Sequence, residues 1–472
     1  MKSKTNQNLI ELAEGKLGSL LFKYSWPALI AMTLNALYAV VDRVFIGQGC
    51  GVDAMAGLQL AMPIVMLFGA FGVFVGAGHA AVLSLRLGAG DRVGCEKIVG
   101  ELIAFKLVFF FLLPPLVFFN LDTVLGWCGA DRVTPGAFAA AREYLKLVLF
   151  SHLFSHLAFG LSALQRAEGS ALRSMWSLVI GFGVNLALDP IFIFVFNLGI
   201  AGAAWATNIA MFLSCAWALK YYLRRETVVR LVWRRIGFYR EFAGRAAAIG
   251  LAPFLQQLMS SLIVAALQFA FVYWMPDEAS RTDQIASLGV FNAALILVFM
   301  PMLGCQQGLQ PIFGYNWGAR NFRRVLGTLN TGFWVTSALT VFAWVVQVVP
   351  PFPELIARMF VSGVNPRLIA ICAHDLRLSN CMIWCISINV LATTFFQSIG
   401  KPRISILLSM LRQGIVLLPI IIVLPFFMDD KVTAIWLSMP VSDVLCNLVT
   451  IYPLLLHAKF LSRIRDKKKS RP

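Results

Sequence analysis

Residues 26–47 read WPALIAMTLNALYAVVDRVFIG and are apolar enough to cross a bilayer, yet they include Asn35, Tyr38 and Asp42. The three polar residues are spaced by three and four positions, so they share one face of a helix. An ionised carboxylate near mid-bilayer costs on the order of 3 kcal/mol, so it normally faces a protein interior or a wet cavity. The stretch therefore predicts a transmembrane helix with Asp42 as the first candidate functional residue.

The composition of the whole chain excludes a soluble protein. Of its 472 residues, 59% are hydrophobic and 13% are charged, and the mean hydropathy is +0.77. Apolar runs long enough to cross about 30 Å of hydrocarbon recur from Leu20 to His457. None of them shows the alternation of a membrane barrel strand. We expect an all-α membrane protein with twelve transmembrane helices.

The charge distribution indicates an orientation in the membrane and gives no sign of a nucleic-acid partner. The net charge is +17, and most of the 40 Lys and Arg fall in the two tails and in alternate connections. This asymmetry predicts that both termini are cytoplasmic and that the basic clusters contact anionic lipid. The first apolar run contains Asp42 and has no small-residue cleavage site, so we expect a permanent span and not a cleaved signal.

The second half of the chain repeats the first. Shared features, in the same order, are Gly88-Ala89-Gly90-Asp91 with Gly318-Ala319-Arg320-Asn321, Gln165 and Gly169 with Gln397 and Gly400, and Pro190 and Trp205 with Pro419 and Trp436. Two pseudo-symmetric six-helix lobes are typical of secondary transporters. The predicted parts are a tail at 1–19, an N-lobe at 20–223, a basic linker at 224–241, a C-lobe at 242–457 and a tail at 458–472. Predicted N-lobe helices are 20–47, 55–87, 97–120, 135–164, 174–196 and 201–223.

The repeat also predicts an asymmetry between the halves. In the shared register Asp189 is matched by Leu418, and Asp42 by Gln268. The spans of the second half keep neutral polar residues, and their acids, Asp375 and Asp443, fall near helix ends. We therefore expect the ionisable chemistry to be confined to the first half.

Asn185 and Asp189 form the second candidate constellation. They lie four residues apart, so an amide and a carboxylate share one helix face and offer hard oxygens to Na⁺. The same carboxylate can carry a proton, and the sequence does not separate the two ions. Thr207 and Tyr144 can add hydroxyl groups. The alternatives are an ion pair of Asp42 with Arg43, and plain packing or helix-to-helix hydrogen bonds for the others.

Two further chemistries fit these residues less well. His152 and His156 lie four apart, which allows an intramembrane metal-dependent hydrolase, but no acidic residue lies between them and a third ligand is missing. No metal site is therefore expected. The chain has no Walker motif for ATP, and we expect neither an enzyme nor a cofactor.

Taken together, the motifs of this chain resemble those of the multidrug and toxic compound extrusion (MATE) transporters, in particular the bacterial MepA-like and DinF-type branch. The resemblance covers about residues 9 to 460. It is carried by Pro27 with Asn35 and Asp42, the run Gly47 to Leu58, Leu87 to Asp91, Tyr144, Asn185 with Asp189 and Pro190, Gly202 to Thr207, and Gln310 to Ala319.

The resemblance implies two lobes in a V shape and a monomer in the bacterial cytoplasmic membrane. It implies export of organic, mostly cationic lipophilic compounds in exchange for H⁺ or Na⁺, with multidrug resistance as a consequence. The cation site would comprise Asp42, Tyr144, Asn185, Asp189 and Thr207, and helix 1 would bend at Pro27. Candidates for a substrate cavity are Asn35, Tyr38, Gln256, Gln307 and Gln310.

A lipid-linked oligosaccharide flippase of the same superfamily is the alternative transporter. Such a protein would be expected to place several basic residues in its cavity to hold pyrophosphate. The charged candidates within the predicted spans are Arg43, Lys106, Lys146 and Arg377. Some family members also place acids in the second lobe, a pattern that Gln268 and Leu418 do not share.

Overall fold

The computed structural model of the chain describes residues 11–128, 134–223, 227–275, 278–360 and 366–469. Regular structure in these ranges is helical, without a strand. The chain divides into two compact units, residues 1–250 and 251–472. The predicted bounds of the lobes, 20–223 and 242–457, remain proposals.

In the described residues of the first unit the long and short α-helices have the following bounds, and the last of them continues into the second unit. They are α1 (Leu17–Gly88), α2 (Arg92–Phe119), α3 (Leu121–Trp127), α4 (Pro135–Ala167), α5 (Ala171–Pro190), α6 (Gly199–Leu223) and α7 (Arg240–Trp274), with a π-helical segment at Ile191–Val195. The second unit begins within α7. It continues with α8 (Glu278–Gly318), α9 (Phe322–Val348), α10 (Phe352–Phe360), α11 (Pro366–Asn380), α12 (Ile386–Ser398), α13 (Pro402–Met410), α14 (Leu418–Phe427) and α15 (Lys431–Lys469), with a second π-helical segment at Leu411–Leu417.

Ten segments of the described chain are long and apolar enough to cross a membrane. They include residues 60–88 of α1, and all of α2, α4, α6, α7 and α9. Two of the twelve predicted spans are not among the ten, the first part of α1 and α8, both of which are helical but contain side chains outside the described set. The chain is an all-α, multi-pass membrane protein.

Helix α1 differs from the prediction of two helices separated by a loop after Gly47. Its 72 residues are helical throughout, although a straight helix of that length would measure about 110 Å, more than three bilayer cores. The first arm of α1, the part before the predicted loop, runs alongside α5 in the same direction. Tyr24 donates a hydrogen bond to the carbonyl of Gly169 (3.1 Å), just before α5, and Phe45 meets Phe194 edge to face, just after it. The helix must therefore reverse before its second arm begins.

The second arm of α1 runs beside α4. A side chain at Gly57 would clash with the backbone of Ala137 and Ala141, and the Cβ of a residue at Gly76 would touch Gly160. Because α4 and α5 are antiparallel across the turn at 168–170, the two arms of α1 are antiparallel too. The two predicted spans exist, and only the expected loop between them is wrong.

The turns of the internal repeat have the same backbone geometry in both units. Gly90 and Arg320 both adopt left-handed conformations, with φ of 79° and 55°. The next residue caps the following helix in each case, since Asp91 accepts from the Gly94 N–H (2.7 Å) and Asn321 from the Arg324 N–H (3.4 Å). The cap at Asp91 starts α2 at Arg92, five residues before the predicted start at 97.

Candidate cation site

The site is built from the first arm of α1 and from α5 and α6. The aromatic rings of Tyr38 and Phe182 stack with their centroids 5.6 Å apart, which holds α1 against α5. This packing brings Asp42 to Asp189 and places both within the protein, where their exposed fractions are 5% and 0%. The two acids, which the sequence places on separate helices, therefore lie together in the interior of the first unit.

Asn185 connects the acids to α6. Its amide nitrogen donates to Oδ1 of Asp189 (3.3 Å) and to Oγ1 of Thr207 (3.2 Å). The Thr207 hydroxyl is itself committed as a donor to the Ala203 carbonyl (3.0 Å), so it presents a lone pair to Asn185. The spacing of four residues from Asn185 to Asp189 thus gives the shared helix face that the sequence predicts.

The carboxyl groups of Asp42 and Asp189 are close enough that one of them, when protonated, can donate a hydrogen bond to the other. Two ionised carboxylates in contact repel each other strongly when water is excluded. A shared proton or a bound cation removes that repulsion. The pair can therefore change its charge by one unit when a cation binds or leaves.

Tyr38 belongs to this cluster, although the sequence suggests it for a substrate cavity. Its hydroxyl interacts with Thr207 by a hydrogen bond and lies near both Asp42 and Asp189. The spacing of four between Tyr38 and Asp42 is the signal that could have assigned it to the acids.

Two oxygens of the cluster have no hydrogen-bond donor among the described residues. They are Oδ1 of Asn185 and Oδ2 of Asp189, and both are buried. A buried acceptor without a partner costs about 1–3 kcal/mol. The carboxylate oxygen can accept H⁺, and the carboxylate and amide oxygens together can coordinate Na⁺.

The other predicted site residues occupy several environments. Tyr144 is buried in an apolar cluster with Ile46, Val148 and Ile193. Pro27 lies inside α1 and is buried, and Asn35 is half-buried on the same arm. In the second unit, Gln256 lines a cavity, and Gln307 and Gln310 each have a buried amide atom that lacks a partner among the described residues.

His152 and His156 do not meet the requirements of a metal centre. Their rings are 5.5 Å apart and tilted, and the His152 ring stacks on Phe68. Over the described ranges no three His, Cys, Asp or Glu side chains come together as possible ligands. The buried Lys106 ammonium nearby donates to the Gly72 carbonyl (2.7 Å) and so helps to join α2 to α1.

The expectation that Asp443 falls near a helix end is wrong, because Asp443 lies in the middle of the candidate span at residues 431–457, while the confinement of the ionisable chemistry to the first half stays a prediction. Arg412 lies in the π-helical segment between α13 and α14, within a candidate span at residues 402–427. Its Nε donates to Oδ1 of Asp443 (2.8 Å), and Asp443 is 5% exposed. The basic run from Lys401 suggested a cytoplasmic turn that extended to Arg412, but the helix begins at Pro402 and carries Arg412 inward.

Comparisons with known proteins agree with this fold. The multidrug export protein MepA of Staphylococcus haemolyticus is 22% identical over 447 residues, and the match covers 95% of each chain. A solved structure of the MATE multidrug transporter DinF-BH is 29% identical, covers 93% of this chain and 95% of its own, and has a TM-score of 0.82. An outward-facing MATE family transporter of the MOP superfamily, 20% identical, matches with a TM-score of 0.88 over 98% of this chain and 99% of its own.

One family model, MatE, matches the chain twice, at residues 27–191 and 257–423. The two matches together cover well over half of the chain, and they fall on the two halves of the internal repeat. The first match contains Asp42, Asn185 and Asp189, and the second contains Arg412. The chain is therefore a multi-pass membrane transporter that belongs to the MatE family.

Proposed function

We propose that this protein is a secondary active multidrug efflux antiporter of the bacterial cytoplasmic membrane. It exports organic, mostly cationic lipophilic compounds in exchange for H⁺ or Na⁺, as a monomer with both termini in the cytoplasm. The single observation that carries the proposal is the buried contact of Asp42 with Asp189, supported by Asn185, Thr207 and Tyr38. MepA, the relative named above, is a multidrug export protein, which supports the choice of substrate class.

In this cycle the incoming cation binds the two acids from the outside. Neutralising one negative charge removes the repulsion between Asp42 and Asp189, so α1 and α5 can approach more closely at this point. The first arm of α1 bends at Pro27, which lacks a backbone donor and leaves the helix weak there. Movement of this arm releases the substrate outward and then exposes the acids to the cytoplasm, where the cation leaves.

Exchange requires that cation and substrate favour different conformations. The charge state of the acid pair supplies this difference, because a cationic substrate is held best while the pair is negative. An inward-directed membrane potential adds about 2.3 kcal/mol per charge per 100 mV to the driving force. The neutral ligands Asn185 and Thr207 fix the geometry without adding charge.

The test is transport by purified protein in proteoliposomes, with a pH gradient and a Na⁺ gradient imposed separately. We expect one of the two gradients to drive export of a lipophilic dye cation such as ethidium. Movement of the dye at the same rate with and without either gradient would contradict the proposal. Liposomes without protein provide the leak rate.

A further inference from the structure

A buried acid of the first unit lies outside the proposed cation site. Glu101 of α2 and His79 of the second arm of α1 are 0% and 3% exposed, and Nε2 of His79 lies 3.5 Å from Oε2 of Glu101. The cation site is built from α5, α6 and the first arm of α1, so the exchange cycle proposed above does not use this pair. Ionisable groups inside membrane spans are costly and usually functional.

The hydrogen bonding of His79 determines which ring nitrogen carries a hydrogen. Its Nδ1 lies 2.8 Å from the carbonyl oxygen of Val75, which can only accept, so Nδ1 is the donor. In a neutral imidazole the other nitrogen, Nε2, then has a bare lone pair. This lone pair faces Oε2 of Glu101, and in an ionised carboxylate that oxygen also only accepts. Both atoms are buried and lack a hydrogen-bond partner within the described ranges.

One added proton changes this contact from two opposed acceptors into a donor and an acceptor. Whether the proton lies on His79 or on Glu101, the pair is then neutral as a whole. Without the proton, the pair holds one negative charge among buried helices, and its two facing atoms repel each other. The geometry is therefore that of a pair with one proton between the imidazole and the carboxyl group.

The end of the linker, just before α7, packs against this pair. The backbone N–H of Tyr239 donates to Oε1, the other carboxyl oxygen of Glu101 (2.8 Å). The Phe238 ring meets the Phe105 ring edge to face, with centroids 4.8 Å apart, and the Phe105 ring meets the ring of His79 at 5.6 Å. One carboxyl group thus contacts both His79 and the linker.

We propose that His79 and Glu101 form a second proton-binding site, distinct from the acid pair, and that its proton holds the linker on α2. While the proton is bound, Glu101 faces His79 and accepts from the Tyr239 N–H. When the proton leaves, repulsion moves the carboxylate away from the imidazole, and the bond to Tyr239 is lost. The site goes beyond the exchange cycle, because it takes its proton from the linker side of the membrane whether H⁺ or Na⁺ drives export.

The charged groups of the surrounding elements contact other residues. Lys106 of α2 donates to the carbonyl of Gly72, which lies seven residues, or about 10 Å, from His79 along α1. Within the described part of the chain, no lysine or arginine forms an ion pair with Glu101. The other groups are Arg86 with Asp91 and Glu241, Arg235 with Glu96, Lys97 over the Tyr239 ring, Arg245 of α7 near Arg86, and His156 of α4 beside Gly72.

The test is hydrogen exchange of the linker in the purified full-length protein. Mass spectrometry of a peptide that contains Tyr239 gives the protection of its amide relative to the intrinsic exchange rate at each pH. Wild-type protection should fall at least about tenfold between about pH 6 and about pH 9, the loss of one hydrogen bond to a charged group. The fall accompanies rising pH because the docked linker holds one proton more than the released linker. Constant protection over this range would overturn the proposal.

Two variants remove the exchangeable proton and keep a donor in the pair. The amide of Glu101→Gln donates to Nε2 of His79 and accepts from the Tyr239 N–H, so it imitates the protonated pair. The amide of His79→Gln donates to Oε2 of Glu101. In each variant the protection should change by less than about twofold over the same pH range, since no proton is gained or lost. A fall as large as that of the wild type in either variant would overturn the proposal.

Glu168→Gln is the matched control. Glu168 is another buried acid that contacts the linker, where it accepts a hydrogen bond from the backbone of Val229. The pH response of the Tyr239 amide should remain in this variant. A response that is lost in Glu168→Gln and kept in Glu101→Gln would assign the proton to Glu168 and overturn the proposal.

Asp42→Asn separates this site from the proposed function. It should abolish gradient-driven export and leave the pH response of the linker as in the wild type. If Asp42→Asn exports normally, the exchange mechanism fails, while hydrogen exchange still decides the role of His79 and Glu101. If the linker responds to pH equally in the wild type, Glu101→Gln and His79→Gln, the second proton site fails while the exchange mechanism stands.

Discussion

The two units bury charge in opposite ways. In the first unit two acids, Asp42 and Asp189, lie together, and the neutral residues Asn185 and Thr207 are hydrogen-bonded beside them. In the second unit the acid Asp443 is matched by a base, Arg412, at 2.8 Å. A like-charged pair is a site that needs a mobile cation, whereas an opposite-charged pair is neutral in itself. The two halves of the repeat thus have similar backbones, but the buried pair of the first half requires a cation to balance its charge and the buried pair of the second half does not.

The largest expected effect breaks the acid pair. Asp42→Asn and Asp189→Asn should each lower gradient-driven export at least about a hundredfold, because the one remaining carboxylate lacks the neighbouring negative charge that favours binding of the cation. Export in proteoliposomes under the effective gradient measures this. Asp122→Asn, at an exposed acid that pairs with Arg142 outside the site, is the matched control and should export at the wild-type rate. Wild-type export by either site variant would contradict the mechanism.

The next effect contrasts the stabilities of the two pairs. Arg412→Gln should lower the free energy of unfolding by about 3 kcal/mol, because it leaves Asp443 buried without its counter-charge. Asp189→Asn should instead leave stability unchanged or raise it, since it removes a repulsion. Thermal melting of the detergent-purified variants at about pH 7.5, where both ordinary carboxylates and guanidinium groups are charged, would show the opposite signs. A loss of equal size in both would remove the contrast between the units.

Glu168 gives a pH-dependent effect on the first unit alone. It lies in the turn after α4, outside the spans, and burial raises its pKa to about 8, against hydrogen bonds from Tyr222 and Tyr221 that lower it. The folded state therefore holds a proton that the unfolded chain releases above about pH 4.5. The contribution of Glu168 to the free energy of unfolding should therefore fall as pH rises from about 5 to 8, by at most about 1.4 kcal/mol per pH unit.

Glu168→Gln should flatten that slope, because the neutral amide does not titrate. The check is the difference in melting temperature between about pH 5.5 and about pH 7.5, two points inside that window, for the wild type and the variant. An identical difference in the two proteins would show that Glu168 does not titrate in this range.

The smallest effect compares the equivalent turns. Arg320 adopts the left-handed conformation that Gly90 adopts in the first unit. Gly90→Ala should cost about 1 kcal/mol from backbone strain alone, because an added Cβ there meets no other atom within 4 Å. Arg320→Gly should gain a few tenths of a kcal/mol to about 1 kcal/mol. Chemical unfolding of the two variants would measure this, and a gain on Gly90→Ala would contradict the equivalence.

Much of the fold follows from the sequence because its signals are local. Apolar run length predicts the spans, and two matched pairs, the caps Asp91 and Asn321 and the glycines Gly169 and Gly400, mark turns that occur in both units. The pair Asn185 and Asp189 is predictable for the same reason, since a spacing of four on a helix is a fixed geometry. The approach of Asp42 to Asn185 and Asp189 depends on the packing of α1 against α5. In the sequence, only the position of Asp42 on the polar face of α1 indicated this approach.

The remaining features depend on tertiary contacts. The glycines after Gly47 suggest a loop by composition, yet the backbone of α1 is helical from Leu17 to Gly88. The spacing from Tyr38 to Asp42 places both on one face of α1, but it is the stacking of Tyr38 on Phe182, a contact between helices, that brings this face to α5. Arg412 was missed because a run of basic residues indicates a cytoplasmic turn. Whether Arg412, the last residue of the run, lies within the membrane depends on where the helix begins.

The most direct test of the acid pair is the cation that a substrate displaces from the purified protein. Adding ethidium in weakly buffered detergent solution should release about one H⁺ per chain, or about one Na⁺ if the protein is preloaded with radioactive sodium. We expect this release from the wild type and from Asp122→Asn, and none from Asp42→Asn or Asp189→Asn. Release of the same amount from either of the last two variants would contradict it.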